Sequence, residues 1–183
     1  PADGQLWREG VYQTVLALWP SVYASYQAKD LDREMVAVTF DTAARYPFDE
    51  GDLILDQATG SGFMTWVASL ALSDRQDIDP RKLRLAANDI NPIAAANADF
   101  NLNRVLELDV RVLNEEVLDG RHFGGPAQVL LANSPRYGEA SVRAGLDLDP
   151  KNRLKTLSSF HDGGWAGWFF WTQLMRWLRD PAF

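Results

Sequence analysis

The chain has no cysteine among its 183 residues. Disulfide bonds, thiolate metal sites and cysteine nucleophiles are therefore all excluded. Histidine is also scarce, with only His122 and His161 present. These two lie far apart in the sequence with no third ligand near either, which argues against a zinc site.

Long apolar runs are missing as well. No uninterrupted run reaches the roughly 18 residues that a membrane span requires. The most apolar stretch, residues 165–178, is interrupted by Thr172, Gln173 and Arg176. The first five residues lack the basic-then-apolar order of a secretion signal. We therefore expect a cytoplasmic protein with no membrane partner.

Basic residues are outnumbered, with 18 Lys and Arg against 25 Asp and Glu, so the formal net charge is −7. Proteins that grip a nucleic-acid duplex usually carry a basic face. The nearest candidate is a cluster between residues 143 and 155, but acidic residues interrupt it and an ordinary solvated loop explains it equally well. The charge favours a protein or small-molecule substrate, and it leaves RNA open.

The first 50 residues are predicted to be a helical segment. Apolar residues recur at helical spacing within residues 5–46, and Pro20 interrupts the pattern. Residues 35–46 also fit a strand, because Val36, Val38 and Phe40 alternate with other residues. Helix and strand therefore both stay open for this stretch.

From residue 51 onward the sequence alternates between strand and helix patterns. Short apolar runs predict four strands, at 53–55, 83–87, 108–113 and 128–132. Helices are predicted at 63–72, from Pro92 to Asn103 with Asn91 as the cap, and at 168–179. This order predicts an α/β fold for residues 51–183, with a Rossmann-like open parallel sheet and helices on both faces.

Each predicted strand ends in residues that can bind a ligand. The first runs through Asp56 into a turn with Gly60 and Gly62, and the second ends at Asp89. The third is followed by Glu115 and the fourth by Asn133. Because the carboxyl ends of parallel strands open onto one crevice, we expect these groups to share a pocket.

This order resembles that of the class I S-adenosyl-L-methionine-dependent methyltransferases, over roughly residues 53–137. It is most similar to the amino-methyltransferases with an Asn/Asp-Pro-Pro-Tyr/Phe motif. The resemblance implies that the first motif surrounds the methionine part of the cofactor, and that acidic residues bind the ribose and the adenine. The implied cofactor-binding residues are Asp56, Ala58, which stands where many members have glycine, Thr59, Gly60, Gly62, Asp89, Ile90 and Glu115.

The resemblance also implies the residues that face the acceptor nitrogen, namely Asn133, Pro135 and Tyr137. In the family, an acceptor side chain and a carbonyl orient the nitrogen while an aromatic ring stacks on its planar group. Here Ser134 replaces the first proline and Arg136 occupies the place of the aromatic. Either Tyr137 serves instead, or the site is inactive. The implied activity is methylation of a planar amide or exocyclic amino nitrogen, and the alternative is an inactive interaction module.

Two short matches concern the substrate. Residues 161–167 resemble a stretch of the protein-glutamine methyltransferases that modify release factors, whereas residues 137–139 resemble a run in RNA guanine methyltransferases. The acidic charge favours the first, with RNA or DNA as the other substrate class. The family fold has about seven strands, and four are predicted here. We therefore expect a partner chain, a further C-terminal segment or strands from the N-terminal region to complete the sheet.

Overall fold

The computed structural model describes residues 14–19, 22, 30–115, 122 and 125–133. These residues contain a 3-10 turn at Pro80–Lys82 and a π-helical segment at Phe100–Val105. Their α-helices and strands, in chain order, are α1 (Asp30–Arg45), β1 (Leu53–Gln57), α2 (Phe63–Arg75), β2 (Arg84–Asn88), α3 (Pro92–Asp99), β3 (Val110–Leu113) and β4 (Val129–Ala132).

The four strands form one parallel sheet in the order β3-β2-β1-β4. At its centre, Leu55 of β1 pairs with Ala86 of β2 on one side and with Leu130 of β4 on the other. The chain thus adds β2 and β3 on one side of β1 and returns to place β4 on the opposite side. This confirms the predicted α/β open parallel sheet, and it makes the carboxyl end of β1 a topological switch point.

Strand alternation divides the core between the two faces of the sheet. Ile54 and Leu85 lie on the face where α1, α2 and α3 contribute their buried side chains. Leu53, Leu55 and Ala86 form a second buried cluster on the other face. Burial on both faces explains why β1 begins with the uninterrupted apolar run of residues 53–55 rather than with an alternating pattern. Residues 168–179, the last predicted helix, lie outside the described ranges.

The structure settles one open prediction and corrects another. Residues 35–46, which fit either a helix or a strand, belong mostly to the helix α1. The prediction of helix was wrong for residues 14–19, which have no regular secondary structure. The backbone groups of Ala17 and Trp19 bond instead to the side chains of Asn97 and Asn101.

Helix α3 begins as predicted and then widens. Asn91 caps it by accepting a hydrogen bond from the Ile93 N–H at 3.0 Å, with Pro92 in the first position. After Asp99 the backbone changes to π-helical geometry, in which the Leu106 N–H donates to the Asn101 carbonyl at 3.0 Å. This wider turn follows the short α3 and brings Leu102 against Gly62.

Replacing Gly62 with Ala tests that contact. Gly62 has a φ of +84°, and a Cβ there would lie 2.8 Å from Leu102 Cγ, whereas Gly51 has a φ of +85° with nothing within 4 Å. We expect Gly51→Ala to lower the free energy of unfolding by about 1 kcal/mol through backbone strain. Gly62→Ala should lose about 1–3 kcal/mol more, because the buried Leu102 must move. Urea unfolding measures both losses, and equal losses would contradict the packing described.

Candidate functional site

The link between β1 and α2 is a turn with an unusual backbone. Within this glycine turn (residues 58–62), Ala58, Gly60 and Gly62 have φ values of 62°, 58° and 84°. The left-handed conformation at Ala58 is strained for any residue with a Cβ, and glycine adopts it at no such cost. Two backbone hydrogen bonds of 3.0 Å hold the turn, from the Thr59 N–H to the Asn88 carbonyl and from the Gly62 N–H to the Thr59 carbonyl.

The Asp89 carboxylate fastens the glycine turn to the end of β2. Its Oδ2 accepts a hydrogen bond from the Gly60 N–H at 2.9 Å, and its Oδ1 accepts one from the Asn91 N–H at 2.9 Å. A carboxylate oxygen has two lone pairs and can accept more than one hydrogen bond. Asp89 is only partly buried.

The residues after β3 are fixed beside Asp89. The buried Asn88 side chain accepts from the Glu115 N–H at 2.9 Å and donates to the Glu115 carbonyl at 3.0 Å. The Asn114 side chain donates to the carbonyls of Asp89 and Ile90 at 2.7 and 2.9 Å. The Ile90 side chain is 50% exposed and the Glu115 side chain is exposed as well. An apolar and an acidic group therefore lie next to Asp89, facing solvent.

Asp56 is buried beneath the glycine turn. Its Oδ2 accepts hydrogen bonds from the hydroxyls of Thr59 and Thr65 at 2.7 and 2.8 Å, and from the Thr65 N–H at 3.2 Å. Burial raises the pKa of Asp56 to about 6, although the hydrogen bonds from Thr59 and Thr65 act to lower it. The nearby Asp89 charge raises the pKa slightly further.

Two buried side-chain oxygens in the described part of the chain have no hydrogen-bond partner, Asp56 Oδ1 and Gln57 Oε1. They belong to consecutive residues at the end of β1, so strand alternation places their side chains on opposite faces of the sheet. A buried acceptor without a donor is costly, which makes this strand end a place where a ligand donor is favourable. Gln57 was missed by sequence reasoning, although an amide ending an apolar strand was an available signal.

Most of the predicted site residues lie at one edge of the sheet. Asn133 directly follows β4, whose Ala132 pairs with Gln57 of β1. Pro135 and Tyr137 lie outside the described residues. The carboxyl edge thus brings together nine predicted residues: Asp56, Ala58, Thr59, Gly60, Gly62, Asp89, Ile90, Glu115 and Asn133.

The described ranges contain neither a metal-binding cluster nor a membrane-spanning helix. No group of three or more His, Asp or Glu side chains there could hold a metal ion. None of the helices in those ranges has the length and apolar character needed to cross a bilayer. What the described carboxyl edge offers is a set of hydrogen-bonding groups around a turn whose residues are buried or half-buried.

The raised pKa of Asp56 predicts a pH-dependent stability. Between its ordinary pKa of 3.8 and about 6, the folded protein holds a proton that the unfolded chain has released. Stability should therefore fall as pH rises from 4 to 7, by up to about 3 kcal/mol. In Asp56→Asn, the amide oxygen keeps the hydrogen bonds from Thr59 and Thr65 and no proton is lost. Urea unfolding at pH 4–8 should show the fall for the wild type only, and parallel profiles would contradict the assigned pKa.

Comparison with known proteins does not identify a family. No family model and no curated protein sequence matches this chain. The likeness to methyltransferases therefore remains a resemblance based on its own strand-end residues.

Proposed function

We propose that this chain binds S-adenosyl-L-methionine at the carboxyl edge of the sheet and transfers its methyl group to a planar amide or exocyclic amino nitrogen of a protein or nucleic acid. The observation that carries the proposal is the hydrogen bond between Gly60 and Asp89, which joins a left-handed turn to an acidic strand end. The Asp56 carboxylate bonds Thr59 of the same turn through Oδ2, and its buried Oδ1 has no partner.

The residues around Asp89 suit a nucleoside. Its two carboxylate oxygens accept the N–H groups of Gly60 and Asn91, and we assign the same carboxylate to the ribose hydroxyls. The half-exposed Ile90 offers an apolar surface to an adenine ring. The exposed Glu115 carboxylate, on a backbone fixed by Asn88, offers an acceptor for the adenine amino group.

Asp56 suits the amino-acid part of the same cofactor. Its Oδ1 is a buried acceptor that lacks a donor, and the methionine part carries an ammonium group. A cation at this oxygen would stabilise the ionised carboxylate and so offset the cost of its burial. The ammonium would lower the pKa of Asp56, and binding would release a proton below about pH 6.

The bound cofactor supplies an electrophilic methyl group on a sulfonium. The chain would then have to hold the acceptor nitrogen in line with that methyl group, which is a matter of positioning. Asn133, one residue beyond the strand that pairs with β1, is the residue we assign to accept a hydrogen bond from the acceptor N–H. The net charge of −7 favours a protein over a nucleic-acid acceptor.

A second candidate is an inactive module with the same fold. The carboxylates of Asp56 and Asp89 both accept hydrogen bonds within the chain, so they stabilise the fold even without a cofactor. The replacement of the family's aromatic by Arg136 agrees with this alternative. The two candidates differ in whether ligand binding leads to turnover.

The protonation of Asp56 gives a direct test of cofactor binding. S-adenosylhomocysteine carries the same ammonium, so we expect its affinity for the wild type to rise from pH 5 to pH 7 by about tenfold as Asp56 loses its proton. 5′-Methylthioadenosine lacks the ammonium and should bind without this dependence. Asp56→Asn should remove the pH dependence for S-adenosylhomocysteine. Calorimetric titration measures all three, and a folded wild type that binds neither ligand would contradict the proposal.

Asn133 separates the enzyme from the module. If Asn133 orients the acceptor nitrogen, Asn133→Ala should lower the rate of methyl transfer by about 10²-fold or more while leaving the affinity for S-adenosylhomocysteine unchanged. Transfer of a labelled methyl group into protein and RNA fractions measures the rate. Cofactor binding with no transfer by the wild type would establish the inactive module instead.

A further inference from the structure

Two buried asparagines bind the N-terminal strap (residues 14–19). The Asn101 side chain accepts from the Ala17 N–H at 2.8 Å and donates to the Ala17 carbonyl at 2.8 Å. The Asn97 side chain accepts from the Trp19 N–H at 3.2 Å and donates to the Ala17 carbonyl at 3.1 Å. Both asparagines are fully buried, and the Trp19 ring lies 6.0 Å from that of Phe100. The strap is thus fastened by directional bonds as well as by apolar contact.

Asn101 differs from Asn97 because it also reaches the glycine turn. Its Nδ2 donates to the Ser61 carbonyl at 2.9 Å. The carbonyl and amino ends of an amide are fixed relative to each other, so the bond from the Ala17 N–H to Oδ1 orients Nδ2 toward Ser61. One side chain therefore connects the strap to the turn at which we propose the cofactor binds.

We propose that Asn101 is a positioning residue that couples the N-terminal strap to the glycine turn, so that docking of the strap and ligand binding at the turn favour each other. When the strap is not docked, Asn101 Oδ1 loses the hydrogen bond from the Ala17 N–H. The side-chain amide is then free to rotate, and the bond from its Nδ2 to the Ser61 carbonyl is weakened. The turn, with left-handed residues at Ala58, Gly60 and Gly62, then samples other conformations more often. Ordering it on ligand binding becomes more costly, and the coupling is reciprocal by thermodynamic linkage.

The effect on ligand affinity rests on the proposed function, whereas the coupling itself exists in the ligand-free protein. Ala17→Pro removes the N–H that donates to Asn101 and changes no residue of the turn. Val15→Pro is the matched control, since Val15 lies in the same strap with 85% of its surface exposed. Asn101→Asp is a second variant of nearly the same shape. It keeps the acceptor for Ala17 and replaces the donor to Ser61 with a carboxylate oxygen.

The first measurement is amide hydrogen exchange in the ligand-free full chain. The Gly62 N–H, bonded to the Thr59 carbonyl, reports on the turn, and the Arg84 N–H, bonded to the Asp52 carbonyl at 2.8 Å, reports on the opposite edge. We expect Ala17→Pro and Asn101→Asp to speed exchange at Gly62 relative to Arg84 by about fivefold, as the loss of one hydrogen bond would. Val15→Pro should leave the ratio unchanged. An unchanged ratio in the first two variants, or an equal change in the control, overturns the coupling.

The second measurement is the affinity for S-adenosylhomocysteine. Ala17→Pro should weaken it about fivefold and Val15→Pro should leave it at the wild-type value. If Ala17→Pro changes the exchange ratio at Gly62 but not this affinity, the reciprocal effect on the ligand is overturned. If the wild type does not bind S-adenosylhomocysteine, the proposed function fails, and the exchange ratio alone decides whether Asn101 couples strap and turn.

Discussion

The carboxylate of Asp89 accepts one hydrogen bond from Gly60 and another from Asn91, and so holds together the ends of two strands and the start of a helix. This carboxylate positions both the glycine turn and the start of α3. The glycine turn has a strained residue at Ala58, and without an acceptor for the Gly60 N–H it would have fewer bonds to keep its shape. Asp89 is partly exposed, and it is the residue at which we propose that the ribose binds.

Side-chain amides bond backbone groups at both edges of the sheet. Asn88 bonds both backbone groups of Glu115, Asn103 bonds both backbone groups of Val110, and Gln128 accepts from the Leu53 N–H at 2.7 Å. An amide donates and accepts at once, so it can bond both polar groups of one extended residue without adding charge. Asn101 is another such amide, and it differs from the others because it bonds both the N-terminal strap and the glycine turn.

The sequence was enough to predict the sheet, because apolar strand runs and glycine or asparagine boundaries are local signals. The cap at Asn91 was predictable for the same reason. The contacts of Asn101 were not, since its partner Ala17 lies 84 positions away and an asparagine in an Ala-rich helix reads as part of the solvent face. The same contacts explain why residues 14–19 do not form the predicted helix. The raised pKa of Asp56 depends on burial between a strand and a helix, which no local pattern encodes.

On the proposed function, the carboxyl ends of β1, β2 and β3 form one ligand site around the hydrogen bond from Gly60 to Asp89. Backbone amide chemical shifts, followed by NMR during titration with S-adenosylhomocysteine, test it residue by residue. We expect shifts at Gly60, Asn91 and Glu115, with little change at Gly51 and Arg84 on the opposite edge. Shifts confined to that opposite edge, or no shifts in a folded protein at saturating ligand, would contradict it.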